Sequence, residues 1–193
     1  ETITTTINTL GTLHPDSVHP LADSTGLVAH ELAHQWFGDT VTCKDWSHLW
    51  INEGSASFLP AFYLLARDGQ DAFDLARYGT FAGAFGAHEG SRRGVVHEDY
   101  NEPLEMFNGF AYSGGAARLQ MLMHRLGEPA FWDAIRDFLE RYRYQSVTTD
   151  DFFASVSRRT GADLSTFKKE WFYTAGVPRL KVQRDGTTVR VTQ

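Results

Sequence analysis

The chain has 193 residues, 42% of them hydrophobic and 22% charged, with a formal net charge of −6. That length suits one domain with a sizeable core, or one domain and a piece of the next. Acidity without a basic face argues against a nucleic-acid partner, no apolar run nears the ~20 residues that span a bilayer, and the single cysteine, Cys43, excludes an internal disulfide and fits a reducing, cytoplasmic setting.

The first residue is Glu1 rather than Met, as in a processed or excised chain. "ETITTTINTL" alternates imperfectly and is rich in Thr and Ile, which reads as a strand near a sheet edge. "GTLHPDSVHPLADST" is a loop carrying Pro15 and Pro20. A helix is expected from about Thr25 to Phe37, stopped by Gly38. After the connector "DTVTCKDW", a second helix runs from about Ser47 to Arg67. Pro60 should kink or split it, because proline has no N–H to give to residue 56. A third helix, about Gln70 to Ala87, is rich in Gly and Ala and suggests close packing.

"HEGSRRGVVHEDYNEPLEMFNG" is mostly loop, and "AYSGGAARLQMLMHRLG" is a helix ended by Gly127. "EPAFWDAIRDFLERYRY" follows with Pro129 in its first turn. "TTDDFFASVSRRTG" and "DLSTFKKEWFYTAG" are two more helices, and "PRLKVQRDGTTVRVTQ" reads as a hairpin about "RDGT". The fold class is mainly α with a small strand contribution.

"VAHELAHQWFG" holds His30, Glu31 and His34. An i,i+4 pair on a helix puts both imidazoles on one face, close enough to share an ion, and zinc favours such nitrogen ligands. Glu31, rotated around the helix, can reach a metal-bound water without binding the metal. A catalytic zinc needs a third protein ligand and an open position. Glu53 in "WINEGSAS" leads, since a returning helix can bring it to the His30/His34 face. His48 is its rival, although it lies five residues from Glu53 and faces elsewhere. The apolar helix around His30, Glu31 and His34 would make burying them unpaired costly. His14 and His19 read as solvent-exposed loop residues, with lining the mouth of the site as the alternative. His88, His97 and His124 read as surface or packing residues.

With these motifs in view, the chain resembles the catalytic domain of the M1 aminopeptidase family, whose pattern is H-E-x-x-H, eighteen residues, then a ligand Glu. "HELAHQWFGDTVT" and "LWINEG" carry the resemblance, which extends over nearly the whole chain. It implies a thermolysin-like zinc metallopeptidase fold, present as a fragment: residues 1–176 as an N-terminally truncated catalytic domain and 177–193 as the start of a β-rich domain. It implies one Zn2+ held by His30, His34 and Glu53, with Glu31 as base and proton shuttle. "AYSGGAARLQML" places Tyr112 at the family's oxyanion-stabilising tyrosine. Glu1 aligns with the glutamate that grips the substrate's free amino group. The implied partners are peptides with a free N-terminus and the flanking domains of a longer protein.

Two positions depart from the family pattern. Gly114 stands where the family has lysine, and Pro60 where it often has a glutamate seven residues after the ligand. The alternatives are a thermolysin-type endopeptidase, a lipid-epoxide hydrolase, and a catalytically weak fragment.

Overall fold

The computed structural model describes residues 4–13, 15 and 23–193. Its helices are α1 (Thr25–Ala33), α2 (Trp50–Phe58), α3 (Pro60–Asp68), α4 (Gln70–His88), α5 (Gly115–Leu126), α6 (Glu128–Arg141), α7 (Thr149–Thr160) and α8 (Ser165–Lys168). Its strands are β1 (Val41–Cys43), β2 (Gln145–Val147), β3 (Lys181–Asp185) and β4 (Thr188–Thr192). Two five-residue π-turns, Phe110–Gly114 and Lys169–Tyr173, lead into α5 and out of α8.

The expected second helix is split, as Pro60 predicts. A 3-10 turn, Trp46–His48, precedes α2, and α2 ends at Phe58 so that Pro60 opens α3, where its missing N–H leaves no intrahelical bond unmade. The first helix is shorter than expected: α1 ends at Ala33, and the chain turns through Gln35 and Trp36 toward β1. The connector "DTVTCKDW" contains β1, which pairs in parallel with β2 in the register Val41↔Gln145, Thr42↔Ser146, Cys43↔Val147. The expected N-terminal strand is not seen over residues 4–9, and its first three residues lie outside the described ones. Thr4 takes a φ of 65° and gives its N–H to Gln35 Oε1 at 2.6 Å, which breaks an extended run.

The helix read in "TTDDFFASVSRRTG" and the closing hairpin form as read, whereas the helix read in "DLSTFKKEWFYTAG" is only the four-residue α8 followed by the Lys169–Tyr173 π-turn. Asp151 and Thr148 make a reciprocal capping box at the start of α7, and Gly161 ends that helix in the left-handed conformation. β3 and β4 pair antiparallel about Gly186, with every residue of both strands exposed.

The core is aromatic and centred on α2. Trp50 is buried against Phe152 and Phe172, at ring distances of 5.2 and 4.5 Å, and its Nε1 donates to Thr149 Oγ1 at 2.8 Å. Phe131 and Phe138 from α6 complete this cluster. Every residue of α2 except Ser57 is buried, because α5 and its preceding π-turn lie directly against it.

The α2–α5 approach depends on two glycines. A Cβ on Gly54 would stand 2.8 Å from the Gly115 Cα and 2.9 Å from the Ala111 carbonyl oxygen. A Cβ on Gly115 would stand 2.9 Å from the Gly54 Cα and 3.1 Å from the Trp50 Cβ. Backbone lies on both sides, so neither helix can yield by turning a side chain. Gly54→Ala is therefore expected to cost about 1–3 kcal/mol of stability through overpacking, despite alanine's better helix propensity. Urea unfolding of the two proteins checks this; an unchanged midpoint would mean that the helices separate freely.

Candidate metal centre

His30 and His34 project from α1 and its last turn toward α2, and Glu53 meets them from the first turn of α2. Glu53 Oε2 lies 3.2 Å from His30 Nε2 and 3.4 Å from His34 Nε2, and the two imidazole nitrogens are 3.1 Å apart. One ligand atom from each residue falls within 4.8 Å of the others. His34 and Glu53 are buried and His30 half-buried.

The donor set fits a cation. His34 Nδ1 is 2.9 Å from the Phe37 carbonyl, which can only accept, so Nδ1 carries the proton and Nε2 presents a lone pair. Ser57 Oγ stands 3.5 Å from His30 Nδ1 and can orient that ring in the same way. Nε2 of each imidazole and a carboxylate oxygen then converge as three electron-pair donors. Glu53 Oε2 is buried with no hydrogen-bond partner. Burial pushes the Glu53 carboxyl up, but the two imidazoles facing it outweigh that and hold it at about 2. Two histidine nitrogens and one carboxylate oxygen are the ligand types and number of a zinc site with an open position, so His30, His34 and Glu53 are the residues that would hold one Zn2+.

Glu53 is placed by its neighbours. Asn52 Oδ1 accepts the Cys43 N–H at 2.9 Å, tying β1 to the start of α2. On the far side, His48 Nδ1 is 3.0 Å from Thr149 Oγ1 and its Nε2 is 3.9 Å from Asp45. His48 is thus not among the converging ligands, and burial lowers its pKa.

A pocket of about 660 Å³ opens over the three ligands and is also lined by Glu31, Tyr112, Ser57 and Pro60. The Tyr112 ring lies nearly parallel to His30, 6.0 Å away at 11°. Its π-turn closes with the Gly114 N–H donating to the Gly109 carbonyl at 2.8 Å. Glu1, His14 and His19 lie outside the described residues. His97 is half-buried and His124 exposed. His88 is buried, its ring 4.4 Å from Phe110, and burial with Arg118 and Arg93 nearby depresses its pKa to about 4.

Leu27, Val28, Leu32 and Trp36 are exposed, so the apolar character of this segment does not make it a core helix. Only one of its faces packs, onto α2 and α3. Sequence reasoning also missed the residues that orient the site: the Phe37 carbonyl, Asn52, Gly54 and Arg118. Arg118 alone left a trace. It stands one helical turn after Gly114, the position that departs from the family pattern.

That departure has a steric account. A Cβ at position 114 would stand 3.2 Å from the Gly109 carbonyl oxygen, 3.3 Å from His88 Nε2 and 3.6 Å from Arg118 Nη1. The space beside the π-turn is occupied by two basic side chains from α4 and α5.

Residues 3–171 match the Peptidase family M1 domain. The tricorn protease-interacting factor F2 of Thermoplasma volcanium is 31% identical over 170 residues, which is 86% of this chain and 22% of that protein. Probable aminopeptidase 2 of Sulfurisphaera tokodaii is 32% identical over 175 residues, again 86% of this chain and 22% of the relative. Among solved structures, Legionella pneumophila aminopeptidase A in complex with aspartic acid superposes with a TM-score of 0.72 at 27% identity, over 86% of this chain and 19% of the other. The chain therefore spans about a fifth of the length of these relatives. The mainly helical, thermolysin-like architecture, the converging His30, His34 and Glu53, and the match across nearly the whole sequence agree: this chain belongs to peptidase family M1.

Proposed function

We propose that this chain carries the catalytic centre of a zinc-dependent aminopeptidase, which hydrolyses the first peptide bond of peptides with a free N-terminus. The observation that carries the reading is one pocket lined by His30, His34 and Glu53 together with an acid–base candidate, Glu31, and a hydroxyl donor, Tyr112. The aminopeptidase names of relatives in Sulfurisphaera tokodaii and Legionella pneumophila support the exopeptidase form. Glu1 keeps its proposed role at the substrate's ammonium by sequence resemblance alone.

Zinc held by the three ligands supplies Lewis acidity, for the scissile carbonyl and for the attacking water alike. Glu31 accepts the water's proton on its carboxylate and returns it to the departing amine, so that the leaving group departs neutral. The Tyr112 hydroxyl donates to the carbonyl oxygen as negative charge grows there. The stacking of the Tyr112 ring on His30, and the presence of Glu31 and Tyr112 in the lining of the same pocket as the three ligands, support these roles.

The domain reading is also a proposal. The family match ends at Trp171, and all of β3 and β4 is exposed, which supports 1–176 as the catalytic unit and 177–193 as the opening of a β-rich one that meets the flanking domains. No helix among the described residues is long and apolar enough to cross a membrane. The single cysteine, Cys43, supports a cytoplasmic location.

Four measurements test the assignment. Elemental analysis after zinc loading and dialysis should give close to one zinc per chain, retained by His48→Ala and lost from Glu53→Ala; the reverse pattern would make His48 the ligand. Glu31→Gln should keep the zinc and lower aminoacyl-anilide turnover by about a hundredfold or more, since an amide cannot take the water proton. A loss under about tenfold at full zinc content would remove Glu31 from proton transfer. Tyr112→Phe should lower kcat by roughly a hundredfold with little change in KM, because the lost hydrogen bond strengthens at the transition state. An N-acetylated peptide cleaved as well as its free-amine counterpart would replace the exopeptidase reading with an endopeptidase one.

A further inference from the structure

Arg118 is 3% exposed, and no carboxylate pairs with it among the described residues. Burial pulls its pKa down only to about 10, so the guanidinium stays charged near neutrality. A buried cation with no carboxylate partner is costly, so what its hydrogen bonds and its contact with the Trp171 ring, 6.0 Å away, hold in place matters. Nη1 donates to the Gly114 carbonyl at 3.0 Å, and Nε donates to the Trp171 carbonyl. The first acceptor ends the π-turn that carries Tyr112, and the second lies in the other π-turn, Lys169–Tyr173.

Two neighbours grip the start of the same turn. The Phe110 ring meets the His88 ring edge-to-face, 4.4 Å away, and lies under the Arg93 guanidinium, 4.7 Å away. The absence of a side chain at Gly114 lets His88 Nε2 and Arg118 Nη1 approach this closely. The turn is thus held on α2 by the Gly54–Gly115 contact and by basic side chains on its other flank.

We propose that Arg118 is a positioning residue for the reaction: by joining the carbonyls of Gly114 and Trp171 it fixes the Phe110–Gly114 π-turn, and so holds the Tyr112 hydroxyl over the metal centre. The inference rests on the proposed role of Tyr112. Arg118 touches neither the substrate nor the three ligands; it acts through the backbone two residues from the tyrosine. Fixing a catalytic group matters because a displacement of about 1 Å can cost roughly a hundredfold in rate.

Arg118→Met tests it in zinc-loaded protein, since methionine fills similar volume and removes both hydrogen bonds. The expected result is a kcat lowered by about tenfold or more with KM nearly unchanged, one zinc per chain, and a thermal midpoint equal to or above that of the parent, because the unpaired buried charge is gone. Arg118→Lys, which can reach only one of the two carbonyls, should fall between the two, and it serves alone if the methionine variant does not fold. A second readout needs no turnover: in tyrosine-labelled protein, the Tyr112 ring resonances, assigned by Tyr112→Phe, should lose the shift given by the stacked His30 ring. In the Tyr112→Phe background, Arg118→Met should lower kcat no further. An unchanged kcat in Arg118→Met, or the same fractional loss in both backgrounds, overturns the inference while leaving Tyr112 its role. A Tyr112→Phe variant with full kcat overturns the role of the tyrosine itself, and the positioning role falls with it.

Discussion

The organising constraint is the contact between α2 and α5, where Gly54 and Gly115 let two backbones meet without side chains between them. Glu53 precedes Gly54, and Tyr112 lies three residues before Gly115 in the turn that feeds α5. Bringing the two glycines together therefore brings the carboxylate ligand and the tyrosine to the same edge of the interface. α1 then needs only one packed face, onto α2 and α3, to lay His30 and His34 against that edge. This explains why a helix with Leu27, Val28 and Leu32 exposed can still carry a well-formed ligand pair.

The same geometry makes the metal part of the stability of the fold. Three electron-pair donors face one another at 3.1–3.4 Å, and one of them is a buried carboxylate. Desolvating such a group costs several kcal/mol, which is returned only by a cation or by well-made hydrogen bonds. A proton on His30 could serve one contact at a time, whereas a divalent ion serves all three. Binding free energy at a site of this kind stabilises the folded state directly. The neighbours that orient the site, Phe37 through its carbonyl and Asn52 through its amide oxygen, each use a hydrogen bond between a side chain and the backbone.

What the sequence disclosed follows from which distances the chain itself dictates. His30 and His34 are one helical turn apart, so their shared face is a property of the helix alone. Pro60 splits the second helix for an equally local reason, its missing N–H. Glu53 and Tyr112 required a family pattern, because nothing local brings them to α1. The β1–β2 pairing was hidden, since strands of three residues give too short a pattern to read and their partners are far apart in the chain. The π-turn at Phe110–Gly114 was hidden too: its residues suit an α-helix as well, and the Gly109-to-Gly114 bond is selected by the packing of α4 and α5 around it. The exposed apolar residues of α1 were not legible either, because periodicity reports that a face is apolar but not whether it is covered.

The two departures from the family pattern acquire different meanings once placed. Pro60 lines the pocket and begins α3, so it contributes a wall and a change of helix direction where an acceptor is often found. The groups seen behind the two histidines are neutral: a backbone carbonyl behind His34 and the Ser57 hydroxyl behind His30. Neutral outer partners fix ring orientation and raise the basicity of the imidazoles less than a carboxylate would. Gly114 works in the opposite sense, for it removes a side chain and admits the buried guanidinium of Arg118 to the backbone beside Tyr112. Loss of a side chain at position 114 and a buried guanidinium one turn later are therefore a single local solution: the small residue leaves room, and the hydrogen bonds of the cation tie the backbone beside Tyr112 to the Lys169–Tyr173 turn.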